Sequence, residues 1–126
     1  MSATIRSIFL LCRDLRASTD FYRRLGFALR KSGARTTVFQ LSPEGPELHL
    51  HAPLTPAEEE EFKVSWQPGP TGMVLSFETA DLDALIAGAP PEALLVSPRS
   101  APWGTRMAML VDPDGYRLEF QARGSA

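Results

Sequence analysis

The stretch Ser42-Pro43-Glu44-Gly45-Pro46-Glu47-Leu48-His49-Leu50-His51 recurs, without a gap, as Asp112-Pro113-Asp114-Gly115-Tyr116-Arg117-Leu118-Glu119-Phe120-Gln121. Pro43 and Pro113, Gly45 and Gly115, and Leu48 and Leu118 each stand 70 positions apart. Nearer the start, Asp14-Leu15 matches Asp81-Leu82 at an offset of 67. Two copies suggest a pseudo-symmetric pair of half-domains and exclude a solenoid, which needs three or more repeats to bury a continuous core. The repeat constrains the fold far more than the chemistry.

At 126 residues the chain is expected to form one domain with a core that needs no staples. Hydrophobic residues at 44% and charged residues at 22% are ordinary for a globular protein. A net charge of −2 with scattered basic residues leaves no electrostatic footprint for nucleic acid or an anionic membrane. The clusters Arg23-Arg24 and Arg30-Lys31 read as solvated surface. A single cysteine, Cys12, excludes an intrachain disulfide and a cysteine zinc cluster; in its apolar run it reads as a small buried thiol. No apolar segment approaches membrane-spanning length and no signal-peptide pattern opens the chain, so the expected location is cytoplasmic.

The pattern predicts a strand over Ile5 to Cys12, then a helix capped by Asp14 from Leu15 to Leu25, stopped by Gly26. Ala17, Phe21 and Leu25 share one face of that helix. Strands over Phe27–Leu29, Thr36–Leu41 and Glu47–His51 complete the first module. Thr55-Pro56-Ala57-Glu58 has the spacing of a capping box with proline at the first helical position. It predicts a short connecting helix, with a loop through Gln67-Pro68-Gly69-Pro70 leading to the second module. There, Met73 to Phe77, a helix from Asp81 to about Ala87, and strands over Leu94–Val96, Arg106–Val111 and Tyr116–Gln121 repeat the order β-α-β-β-β. The expected class is α+β: eight strands curving into an open cup, with helices on the outer face. Module one spans about 4–52, the linker about 53–71, and module two about 72–122.

Asp14-Leu-Arg-Ala-Ser-Thr-Asp-Phe-Tyr-Arg-Arg-Leu-Gly-Phe27 resembles the opening signature of the vicinal oxygen chelate superfamily, which includes glyoxalase I, extradiol dioxygenases and bleomycin-resistance proteins. Pro102-Trp-Gly-Thr-Arg106 followed by Asp112-Pro-Asp-Gly-Tyr-Arg-Leu-Glu-Phe120 resembles its second-module signature. The resemblance spans almost the whole chain, but this superfamily hosts unrelated chemistries on one fold.

The resemblance implies metal-ligand positions on the first and last strand of each module, the first-strand position lying seven residues before the helix-capping Asp. Those positions hold Ser7, His49, Val74 and Glu119. A catalytic divalent site takes three protein ligands and an open position. Valine cannot ligate and a serine hydroxyl is a weak donor, so the expected cofactor is none. The alternative is a divalent metal on His49 and Glu119, completed by His51, water or substrate. His51 lies two residues from His49, about 6.5–7 Å along the strand. Should His49 and Glu119 meet, the carboxylate would raise the imidazole pKa and give a catalytic acid–base pair.

Alternation places Ser7, Phe9 and Leu11 on one face of the first strand, and Val74, Ser76 and Glu78 on one face of its counterpart. With His49, His51 and Glu119 these predict a largely apolar cavity with few polar groups. Glu78 reads as a rim residue. Trp66 and Trp103 lie in Pro/Gly-rich loops, each a core cap or a stacking plate for a flat ligand, Trp103 leaning to the structural role. Arg106 is either an anion ligand or one half of a surface ion pair. The expected function is metal-independent binding of a small, partly apolar molecule, in the manner of the bleomycin-resistance branch. The competing expectation is a lyase, isomerase or dioxygenase, metal-dependent or working by acid–base chemistry on His49 and Glu119. The expected partner, besides the small molecule, is a second copy of the chain in a homodimer, with or without exchanged modules.

Overall fold

The computed structural model describes residues 2–66 and 72–123. The chain divides into two compact units, Met1–Arg23 with Phe27–Gln67, and Arg24–Gly26 with Pro68–Ala126. The first sheet is built from β1 (Ser7–Leu11), β2 (Ala28–Ser32), β3 (Thr36–Gln40) and β4 (Glu47–His51), in the order β1-β4-β3-β2. Helix α1 (Leu15–Arg24) connects β1 to β2, and α2 (Pro56–Phe62) follows β4. The second sheet holds β5 (Val74–Thr79), β6 (Leu94–Ser100), β7 (Arg106–Val111) and β8 (Arg117–Ala122), in the order β5-β8-β7-β6. Helix α3 (Leu82–Gly88) and a 3-10 turn at Pro91–Ala93 separate β5 from β6. The class is α+β, and the β-α-β-β-β order occurs twice, as the repeat implied.

Each sheet has one parallel pair, β1 with β4 and β5 with β8, and is otherwise antiparallel. A parallel pair cannot be joined by a hairpin, so the first and last strands of each unit must be separated by the helix and two further strands. The hairpins are closed by the repeated turn. Gly45 N–H donates to the Ser42 carbonyl and Gly115 N–H to the Asp112 carbonyl. In the second copy the Asp112 Oδ1 also accepts from the backbone of Asp114 and Tyr116, both at 2.9 Å. Gly115 has φ +92°, a conformation that favours glycine, while a Cβ on Gly45 would collide with the Ser42 side chain.

Helix α1 begins where Asp14 Oδ1 accepts from Ala17 N at 3.1 Å, the expected cap. It ends with Gly26 at φ +92° and the Phe27 N–H returning to the Tyr22 carbonyl, a Schellman closure whose apolar contact is the Tyr22–Phe27 ring pair at 5.4 Å. The helix meets one face of the first sheet through Tyr22 on Phe39 and the Thr19–Thr37 hydroxyl bond. On that face Leu10, Thr37, Phe39, Leu48 and Leu50 are buried. The second unit repeats the arrangement: α3 lies against β6, β7 and β8, with Leu75, Ala108, Leu110, Leu118 and Phe120 buried and Phe77 stacked on Phe120.

The edge strands depart from expectation. Strand β2 runs to Ser32 and β6 to Ser100, both longer than their apolar residues suggest. Every residue of β2 is exposed, so pairing with β3, not burial, makes it a strand. In β6 the register shifts on either side of Val96, accommodating Pro98, which has no N–H to give the ladder. The predicted loop through Gln67-Pro68-Gly69-Pro70 lies outside the described residues.

Leu48 and Leu118, repeat partners and both fully buried, anchor the two helix-covered faces. Leu48→Ala and Leu118→Ala are each expected to cost about 2–5 kcal/mol of stability. Denaturant unfolding measures this; a loss confined to one of the two would show that the units do not carry equivalent cores.

Candidate functional site

Residues on the sheet faces turned away from the helices follow from register. In the first sheet, Ser7, Glu47 and Gln40 form one row, Phe9, His49 and Val38 the next, and Leu11, His51 and Thr36 the third. In the second, Ser76, Glu119 and Met109 are in line, as are Glu78, Gln121 and Met107. Alternation thus puts eight predicted site residues on these faces, Ser7, Phe9, Leu11, His49 and His51 in one unit and Val74, Ser76 and Glu119 in the other, with the expected rim residue Glu78 beside the latter.

Position for position, the two faces carry different chemistry. Phe9 packs on His49 with ring centroids 4.5 Å apart. The equivalent pair in the second unit is Ser76 and Glu119, where the serine hydroxyl donates to Glu119 Oε1 at 2.7 Å. Gln121, the repeat partner of His51, also donates to Glu119 Oε1, at 2.9 Å. The Gln121 side-chain oxygen accepts from the Trp103 indole N–H at 3.0 Å and from the Thr105 hydroxyl at 2.9 Å. Trp103, 58% exposed, is therefore tied to the site through its nitrogen while its ring stays accessible. Arg106 is elsewhere: it alternates onto the helix side and pairs with Asp83 of α3 at 3.1 Å, the surface ion pair of its two readings.

The carboxylate that reaches His49 is Glu47's, two residues away on the same strand, with Nε2 and Oε1 3.0 Å apart. A carboxylate can only accept, so Nε2 carries the proton. Glu47 is itself ion-paired with Arg30, which a register shift in β2 leaves without a partner on β3. The imidazole pKa lies below its ordinary value because partial burial disfavours the charged ring and because Arg6 and Arg30 repel it. The Glu47 carboxylate, already neutralised by Arg30, does not reverse this. In His51 the roles of the nitrogens are exchanged: Nδ1 lies 2.7 Å from the Ala52 carbonyl, which fixes the proton there and leaves Nε2 as the lone pair of the neutral ring.

Beside His51 is a cavity of about 390 Å³, lined by Phe9, Leu11, His51, Leu54, Phe62 and Val64. Leu54, Phe62 and Val64 come from α2 and its flanks, which no predicted site residue represents. Helix α2 has no buried residue of its own. It is held by its cap, with Glu58 N donating to Thr55 Oγ1 at 3.1 Å and Thr55 N to Glu58 Oε1 at 2.9 Å. Arg35, in the turn between β2 and β3, grips the same carboxylate with two nitrogens at 2.9 and 2.7 Å and the Pro53 carbonyl at 3.0 Å. Hydrogen bonds from Arg35 and the Thr55 backbone hold the Glu58 pKa at about 2, from 4.5. Outside the cavity, Arg13 lies over the Trp66 ring at 5.3 Å.

Sequence reasoning passed over Glu47, Arg30, Gln121, Thr105 and the α2 wall. Gln121 was accessible to it, since the 70-residue offset maps His51 onto that position. Glu47 was too, as the same-face neighbour of His49 two residues away on one strand, whereas Arg30, Thr105 and the α2 wall follow from tertiary pairing.

Within each unit taken by itself, the donors do not make a site for the divalent metal that the resemblance implies for enzymatic relatives. Val74 offers no lone pair, and the Nε2 proton of His49 is given to Glu47. Within neither unit do three His, Cys, Asp or Glu side chains among the described residues come together.

The sequence family of glyoxalases, bleomycin-resistance proteins and dioxygenases matches residues 4–120. The chain belongs to the Glyoxalase/Bleomycin resistance protein/Dioxygenase superfamily. Solved structures similar to it include a protein of unknown function from Agrobacterium tumefaciens, 27% identical, covering 98% of this chain and 97% of that one with a TM-score of 0.79. A glyoxalase-related enzyme from Fulvimarina pelagi is 23% identical, with coverage of 95% and 88% and a TM-score of 0.75. A glyoxalase/bleomycin resistance protein/dioxygenase from Nocardioides is 24% identical, with coverage of 97% and 84% and a TM-score of 0.73. No curated protein matches the chain. Among the described residues no helix is long and apolar enough to cross a membrane.

Arg30→Ala is expected to raise the His49 pKa, since it removes a repelling cation and frees the Glu47 carboxylate to favour imidazolium. Because the folded pKa lies below the unfolded one, His49 opposes folding increasingly as pH falls from the ordinary imidazole value of 6.5 through the folded pKa. An NMR titration of the ring protons measures both states; a fall on Arg30→Ala would contradict the assignment.

For Glu58 the sign is that of a depressed carboxylate. Its contribution to docking α2 is complete above about 4.5 and disappears as pH falls toward about 2. Amide exchange over Pro56–Phe62 is expected to stay slow at pH 5 and quicken toward pH 2, while Arg35→Ala reduces that dependence to the part supplied by Thr55. The pair is exposed, so high salt at neutral pH is also expected to quicken exchange.

Proposed function

We propose that this superfamily member binds and sequesters a small, partly apolar molecule without a metal. The observation that carries the reading is the cavity beside His51, whose walls among the described residues are hydrocarbon and aromatic except for one imidazole. Its volume of about 390 Å³ falls among those of small-molecule sites. Hydrophobic association is the natural driving force there: apolar surface leaving water contributes about 25 cal/mol per Å². Phe9 of that wall is 58% accessible, apolar surface left open to a ligand.

The polar groups argue in the same direction. Glu119 Oε1 accepts two side-chain hydrogen bonds, from Ser76 and Gln121, and the Nε2 proton of His49 is committed to Glu47. Each unit's polar groups, satisfied separately in this way, are oriented and rigidified by their own partners. A metal ligated by Glu119 Oε1 or by His49 Nε2 would have to displace these bonds.

The test is titration with the neutral fluorophore N-phenyl-1-naphthylamine. Saturable binding that is unaffected by chelator and returns the probe unaltered is expected. Phe62→Asp should weaken binding at least about tenfold, since it puts a charge in the apolar wall; Phe62 is exposed, so the core is untouched. Near-stoichiometric bound metal that disappears in both His49→Ala and Glu119→Ala would overturn the proposal in favour of metal chemistry.

A further inference from the structure

We infer that the cavity of the first unit selects an uncharged aromatic molecule carrying one hydrogen-bond donor, which it gives to Nε2 of His51. The inference rests on the binding reading above and specifies the class of ligand.

Among the described residues no charged side chain lines the cavity. An ionic ligand group buried against Phe9, Leu11, Leu54, Phe62 and Val64 would lose its hydration without gaining a counter-charge, a cost that disfavours carboxylates and ammonium groups alike. Two of the six lining residues are phenylalanines, from β1 and from the end of α2, and flat ligand rings pack well on such surfaces.

His51 supplies the polar discrimination, and its tautomer determines the sign. The Ala52 carbonyl can only accept, so the 2.7 Å contact makes Nδ1 the donor. In the neutral ring Nε2 is then an acceptor, and it has no protein partner among the described residues. A ligand hydroxyl or ring N–H satisfies that lone pair; an ether or ketone in its place leaves two acceptors facing each other. His49 cannot play the same part, because its Nε2 is already the donor to Glu47. The two histidines of β4 thus differ in function through the partner each backbone position provides.

The experiment is calorimetric titration of 2-naphthol, 2-methoxynaphthalene and 2-naphthoate into the wild-type chain, His51→Leu and His51→Gln at neutral pH. Wild type is expected to bind naphthol about fivefold more tightly than the methyl ether, the worth of one net hydrogen bond. Naphthoate should be the weakest of the three. His51→Leu should still bind the methyl ether but lose the preference for naphthol. His51→Gln, whose amide oxygen can accept, should retain part of that preference; matched unfolding curves establish that both variants fold. Equal wild-type affinities for naphthol and its ether, or a preference that survives in His51→Leu, would overturn the ligand class while leaving the apolar site standing. Failure of wild type to bind either neutral compound would overturn this inference and the binding reading together.

Discussion

Among the described residues each four-stranded sheet has two faces and one helix packed across it, and most of the structure follows from that inequality. In the first unit α1 covers the face bearing Leu10, Phe39, Leu48 and Leu50; in the second α3 covers the face bearing Leu75, Leu118 and Phe120. Strand alternation then assigns every intervening residue to the uncovered side. Such a residue cannot be chosen for core packing alone, so these positions are where one sequence can differ from its own repeat. Leu48 and Leu118 are identical, while the adjacent His49 and Glu119 are not.

The divergence is ordered. At the same pair of register positions, one unit sets an aromatic ring against an imidazole and the other sets a hydroxyl against a carboxylate. One position further, His51 borders an apolar cavity while Gln121 joins Trp103 and Thr105 to Glu119. The first unit thereby offers hydrophobic surface with one acceptor, and the second a connected polar network. A fold built by repetition has separated two kinds of surface chemistry between its halves.

How much of this was legible in the sequence depended on whether a residue's partner was local. The capping box of α2, the Asp14 cap and the Gly26 stop are interactions within a few residues, and each is present as the spacing implied. Strand β4 was bounded correctly because Leu48 and Leu50 alternate with polar residues and the proline–glycine turn precedes them. Strands β2 and β6 were underestimated because exposed edge strands carry no apolar alternation; their neighbours' hydrogen bonds define them. At the site, the repeat located His49 and Glu119, but not the helix that walls the cavity; Glu47, two residues from His49, is the local partner that alternation alone would have offered. Arg35 and Glu58 are 23 residues apart, and nothing in their spacing announces that they meet.

The α2 latch shows why a surface ion pair can matter here beyond its modest worth. Such pairs contribute little to global stability when exposed. Helix α2, however, has no buried side chain to hold it, so its position depends on Arg35, the cap and the apolar contacts of its flanks. The residues it contributes to the cavity, Leu54, Phe62 and Val64, are half-buried or exposed. A ligand filling that space would complete their burial and reinforce the helix that contacts it. Binding and helix docking are therefore thermodynamically linked: whatever loosens the latch must weaken the ligand, and the ligand must slow exchange in α2 by the same free energy.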